Sequence, residues 1–193
     1  MAQKVLFQSA LTDVHTGDRE GVANVRIESD GKKYRYVKNV SATALVHYGA
    51  ALKALTTTLV NLNKNVRSPD MTLDASMASA QLSMPAGVPQ TAIAASGSLR
   101  TGAYGWVQIA GPAIVNMMIS ATTAGASSWP GRLSICTNLP ASAFWDVPEN
   151  GADNAVTIAS ATKQFVHGVE LLQKLVSGTE ANFRSATVEV RCE

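Results

Sequence analysis

Between Ala75 and Gly131 the chain carries one charged residue, Arg100; the rest is built mainly from Ala, Ser, Thr, Gly, Met and Val. This span limits what the chain can fold into more than any other feature. A flexible linker is rich in Gly and Ser but poor in Met, Ile and Leu, so a linker reading fits badly here. A membrane helix needs about 18 or more consecutive apolar residues, and no stretch of the sequence approaches that. An uncharged segment that neither spans a bilayer nor stays disordered must lie in a core or beneath a neighbouring subunit. Composition agrees, since the hydrophobic fraction of 46% supplies a core while charged residues make up only 16%, against about a quarter in typical soluble proteins. Part of the surface is therefore expected to be covered.

Local patterns point to strands. Ala23, Val25 and Ile27 alternate with Asn24, Arg26 and Glu28, then come Asp30-Gly31 and the run from Lys32 to Lys38. That pattern predicts a β-hairpin with a type I′ turn, Tyr34 and Tyr36 on one face and Lys33 and Arg35 on the other. Ser41 to Leu55 reads as a short helix or helical turn, because Ala44, Leu45, Tyr48, Ala51, Leu52 and Leu55 have helical spacing. Thr56 to Leu62 reads as a strand and Asn63 to Asp70 as a loop.

Within the uncharged span, Ala75 to Ser98 is expected as an extended arm carrying Met77, Leu82, Met84 and Ile93. Tyr104 to Ser120 is expected as core strands broken by a turn or bend at Gly111-Pro112, with Trp106, Val107, Ile109, Ile114 and Met118 in the core. Leu133 to Cys136 is a short strand in a loop-rich region. Three strands close the chain: Ala155 to Ser160, Phe165 to Val176 and Arg184 to Cys192, the last pair a hairpin through Ser177 to Ala181; a helix over Lys163 to Leu175 stays open. The fold class expected is all-β, a β-sandwich or barrel-like domain spanning residues 1–193 as a single unit, with an arm or loop inserted at about 70–100.

Charge is asymmetric. Residues 1–67 hold ten Lys or Arg and five Asp or Glu, net +5; residues 68–193 hold six and nine, net −3. Opposite signs on two halves favour contact between copies, and a total of +2 is too small to argue for nucleic acid or a membrane. The N-terminal residues lack the apolar core of a signal peptide, so an unexported protein is expected.

Catalytic chemistry leaves few traces. His15, His47 and His167 have no His, Cys or carboxylate at metal-ligand spacing, and no phosphate-binding, nucleophile-elbow or calcium motif is present. Cys136 and Cys192 read as small buried hydrophobes. Asp13, Asp18 and Glu20 read as solvated carboxylates of a turn. Lys32, Lys33, Arg35 and Lys38 interleave with Tyr34 and Tyr36 as a base-stacking platform would, but strand alternation explains them equally well. No catalytic residue, metal or cofactor is expected, and nucleic acid and membrane are not expected partners.

Three stretches resemble a known family. Gly31-Lys-Lys-Tyr-Arg-Tyr-Val-Lys-Asn-Val-Ser-Ala-Thr-Ala-Leu45 is similar to the opening "KxYRYVxN…ATAL" of tailed-bacteriophage virion structural proteins. Tyr104-Gly-Trp-Val-Gln-Ile-Ala-Gly-Pro-Ala113 looks like their "YGWVQIxGPA" segment. Gly168-Val-Glu-Leu-Leu172 with Ala186-Thr-Val-Glu-Val190 resembles their final β-hairpin. The resemblance implies a β-rich, non-enzymatic capsid decoration (cement) protein on the outer surface of the phage head. It further implies a homo-oligomer, with a trimer favoured, binding the major capsid protein. Met77, Leu82, Met84 and Ile93 are the expected contact residues. The alternatives are a tail tube or baseplate component, and a particle-displayed carbohydrate-binding module with Trp129, Phe144 and Trp145 as a sugar platform.

Overall fold

The computed structural model describes residues 7–54, 64–67, 85–97, 102–118, 132–136, 144–146, 166–172 and 183–193. Side chains are described for these except 117–118, 132–136, 144–146, 166–167 and 183–184. The described residues form no helix and ten strands. In chain order these are β1 (Val25–Ile27), β2 (Lys33–Asn39), β3 (Ala51–Lys53), β4 (Asn65–Arg67) and β5 (Pro85–Pro89). They continue with β6 (Tyr104–Met118), β7 (Arg132–Cys136), β8 (Phe144–Asp146), β9 (Val166–Leu171) and β10 (Phe183–Arg191).

All ten join one sheet in the order β1-β2-β4-β3-β5-β6-β10-β9-β7-β8. Two further pairings close it into a β-barrel with extra strands. β2 with β6 closes a ring of β2, β4, β3, β5 and β6, and β6 with β8 closes a second ring through β10, β9 and β7. Both rings share β6. Its residues Tyr104–Ala110 pair with β2, and its residues Ala110–Met118 pair with β10.

One uninterrupted strand thus runs where a turn was expected at Gly111-Pro112. Gly111 takes a positive φ of 91°, open to glycine without steric cost, and the pairing with β2 shifts register next to it, between Lys33 and Tyr34. The buried Gln108 amide then donates from Nε2 to the carbonyls of Ala110 (3.3 Å), Gly111 (3.2 Å) and Pro112 (2.9 Å). Pro112, which has no N–H, lies between the last β2 partner at Ala110 and the first β8 partner at Met117.

The hairpin of β1 and β2 forms as the alternation predicts, with a different turn. Glu28 N–H donates to the Lys32 carbonyl and Gly31 N–H to the Glu28 carbonyl, both at 3.0 Å. Only Gly31 of the turn has positive φ, 83°. This is a three-residue loop ending in a left-handed glycine, not a two-residue type I′ turn.

The helix expected over Ser41 to Leu55 is absent from its described part. Leu45 makes a bridge to Ile93, Tyr48 takes a φ of 58°, and Ala51 to Lys53 form β3. A helical spacing of apolar residues is here met by a bent segment that sends Leu45, Ala50 and Ala51 into the barrel core. The loop expected over Asn63 to Asp70 contains β4, and Phe165 to Val176 is the strand β9 over its described part. The strands expected at Thr56 to Leu62 and Ala155 to Ser160 lie outside the described residues, as does the connection from Ser177 to Ala181.

Alternation along the strands sorts side chains between two dry regions. Val37, Leu52, Val66, Val88, Val107, Ile109, Val115, Val169 and Val188 are buried, and all but Leu52 belong to one cluster filling the barrel. On the other face of β2 and β6, Tyr34, Tyr36 and Trp106 form a second cluster packed by Phe7, Leu11, Val22 and Tyr104.

Candidate functional site

The contact residues expected from the sequence are not brought together. Met77, Leu82 and Met84 lie outside the described residues. Ile93 is no arm residue: it is wholly buried in the barrel core, and its N–H and carbonyl exchange hydrogen bonds with Leu45 at 3.1 and 2.8 Å. The described part of the expected arm, residues 85–97, includes β5, buried along its whole length. A segment poor in charge goes inside because it loses no ionic hydration there.

Of the expected core residues, Trp106, Val107 and Ile109 are buried, and the Met118 side chain lies outside the described set. Ile114 is a correction, being 51% exposed. It is an odd number of residues from Val107, Ile109, Ala113 and Val115, so the two-residue period turns it outward when those four turn in. Trp106 shares that outward parity and is buried because a separate segment covers it.

That covering segment runs from Phe7 to Val22. Phe7 meets the Trp106 ring edge-on at 5.2 Å, and Trp106 Nε1 donates to Ser9 Oγ at 3.1 Å. His15 exchanges backbone bonds with Tyr104, and its Nδ1 lies 2.9 Å from the Tyr36 hydroxyl. The carboxylates of the segment hold its backbone. Glu20 Oε1 accepts from the N–H of Ser9 at 2.7 Å, Asp18 from those of Gly21 and Val22, and Asp13 from that of Ala10. Burial under this strap pushes the Tyr36 phenol up to about 12. Because Tyr34 and Tyr36 are buried, no base stacks on them in this conformation.

A second constellation, which the sequence reading missed, lies inside the barrel. Arg35 of β2, Lys53 of β3 and Cys192 just after β10 are all buried. Burial lowers the proton affinity of Lys53, and the Arg35 charge lowers it further. Arg35 is also lowered, chiefly by burial. Burial pushes the Cys192 thiol up to about 12, against the opposing pull of Lys53 and Arg35. A thiol held protonated is a poor nucleophile at neutral pH. The signal was present as two cations at strand positions that also face the core, but only the closed ring brings them together.

Among the described residues no group of three or more His, Cys, Asp or Glu could hold a metal ion, and no helix is long and apolar enough to cross a membrane. What the described surface does offer is apolar groups in rows. Ile114 of β6, Thr187 of β10 and Leu172 after β9 sit side by side across three strands, with Ile114 51% and Leu172 49% exposed. On β1, Val25 is 38% and Ile27 66% exposed. No protein-family model matches this chain, and no curated protein matches it either.

Proposed function

We propose that this chain is a non-enzymatic structural protein of a tailed-phage virion, a decoration (cement) protein on the outer surface of the head that binds the major capsid protein. The observation that supports this reading is where the virion-like segments fall. They occupy β2, β6, β9 and β10, which are scattered in sequence but adjacent in the sheet: β2 pairs with β6, β6 with β10, and β10 with β9.

The quoted residues also share a purpose. Tyr36 and Trp106 anchor the strap, and Gln108 and Gly111 carry β6 from one ring to the other. Asn39 donates to the carbonyls of Thr43 and Ala94 while its Oδ1 accepts from the backbone and hydroxyl of Ser41. A resemblance concentrated in the residues that hold one sheet together is what a shared scaffold leaves in a sequence.

The exposed row of Ile114, Thr187 and Leu172 gives this scaffold an apolar contact strip. A strip of that size binds weakly alone, but repetition over a shell sums many weak contacts into avidity. The particle-bound form is a homo-oligomer, with the trimer as the leading arrangement. The test is immunogold labelling of intact virions of the encoding phage with antibody to the purified chain. Label over the head surface is the expected result; label on the tail favours a tube or baseplate role instead, and unlabelled particles overturn both.

A further inference from the structure

Ring closure leaves a single open edge among the described strands. Each of the other nine pairs with at least two neighbours, whereas β1 pairs with β2 alone. We infer that β1 is a self-association edge, adding antiparallel to β1 of a second copy about a two-fold axis at Ile27.

The backbone sets which groups face outward. Asn24 and Glu28 bond to β2, since Tyr36 N–H donates to the Asn24 carbonyl and Glu28 N–H to the Lys32 carbonyl. Alternation then points Arg26 the same way and turns the N–H and C=O of Val25 and Ile27 toward the open edge. Neither residue makes a hydrogen bond outside the strand ladder. Their side chains are the exposed apolar pair of β1, Ile27 at 66%. Unpaired outward groups beside exposed apolar side chains form a template for another strand.

Charge then selects one register. Pairing must oppose odd residues to odd residues, or the outward groups do not meet. A two-fold centred on Arg26 sets Arg26 against itself, and one centred on Glu28 sets Glu28 against itself; like charges directly opposite destabilise a ladder. A centre at Val25 opposes Arg26 to Asn24. A centre at Ile27 opposes Arg26 of each copy to Glu28 of the other and brings the two Ile27 side chains together. Within one chain Arg26 Nε already lies 2.5 Å from Glu28 Oε1, so the dimer sets two such pairs side by side as a four-charge square. The occupant is a second copy because the edge is self-complementary about Ile27, each Arg26 meeting the Glu28 of the other copy. A strand this short makes a weak contact, which suits a joint between oligomers built elsewhere on the surface.

The test uses the full chain, its mass followed over a concentration series by sedimentation equilibrium, with thermal melts to show that each variant is folded. Ile27→Pro removes an N–H that faces away from β2, a position where an edge strand tolerates proline. It should halve the mass of the associated species. Arg26→Glu and Glu28→Arg should each weaken association about tenfold, a loss of about 1.4 kcal/mol. Mixed one to one, those two variants should recover it. One strand of the mixed pair then carries only carboxylates at these two positions and the other only guanidinium groups, so opposite charges meet across the axis while the bridge within each chain stays broken. A wild-type chain that never associates through β1, an unchanged mass for the folded proline variant, or a mixture no heavier than its components overturns the inference. A failed capsid label would leave these masses untouched, so the two readings fail separately.

Discussion

The barrel interior and the aromatic cluster on its outer face are equally dry, but they are sealed by different means. Inside, two closed rings of hydrogen-bonded strands surround the apolar side chains, and no residue can leave without opening a ladder. Outside, Tyr34, Tyr36 and Trp106 are covered by a strap with little regular structure, held by one two-way backbone bridge and a few side-chain bonds. The difference teaches where local opening is cheap. A region sealed by a ladder opens only with the whole domain, whereas a strap can lift while the barrel stays folded.

Replacing one large side chain in each region exposes that difference most strongly. Trp106→Ala removes the centre of the outer cluster and should cost about 3–5 kcal/mol. It should also speed tryptic cleavage after Arg19, within the strap, under conditions where the barrel remains intact. Ile109→Ala, inside the barrel, should cost about 2–5 kcal/mol without selective strap cleavage. Thermal melts and timed proteolysis with fragment masses read both. If Ile109→Ala exposes Arg19 as readily as Trp106→Ala does, strap and barrel form one cooperative unit and the comparison fails.

The sequence shows why one seal was legible and the other was not. The hairpin and the all-β class follow from two-residue alternation, whereas β6 was expected as two strands and is one. Alternation names two faces but not which is inside. On β2 the faces carrying Tyr36 and Val37 are both buried, so polarity alone could not choose between them. Val25 and Ile27 form the apolar face of β1 and lie outward, since β1 extends past the ring that β4 closes on β2. Nothing local in Phe7 to Val22 announces a strap, because its contacts are to Tyr36, Tyr104 and Trp106, far along the chain. Arg35, Lys53 and Cys192 meet only after the ring closes, which leaves no short-range signal. Gly111-Pro112 read as a turn because that pair usually is one; here Gln108 supplies the bonds that let a strand pass through it.

Alkaline pH tests each region through a weak acid. Cys192 inside the barrel and Tyr36 under the strap are both raised to about 12, from ordinary values of 9.0 and 10.0. A raised acid stays neutral in the fold after it ionises in the unfolded chain. Its contribution is therefore complete below the unfolded value and is lost as pH rises toward the folded one. Between pH 9 and about 10.5 the protein should lose about 2 kcal/mol through Cys192. Cys192→Val should flatten that fall in Tm against pH. Tyr36→Phe loses the bond to His15 at every pH and should change the slope only above the point where a free tyrosine ionises. An unchanged slope for Cys192→Val would mean the thiol reaches water in the native state.

The smallest test touches one bond of the strap. Ser9→Ala removes the hydroxyl that accepts from Trp106 Nε1 and leaves a buried donor unsatisfied, which should cost about 1 kcal/mol, with up to about 3 if no water replaces it. Ser9 holds the strap in two further ways, through its N–H to Glu20 and its carbonyl to Arg26, and the substitution spares both. Its effect therefore isolates the side-chain bond. A strap sealed mainly by aromatic packing should keep slow cleavage at Arg19 in this variant, with a modest drop in Tm. Cleavage as fast as in Trp106→Ala would instead place the seal in that single hydrogen bond, and the outer cluster would then be a latch rather than a packed layer.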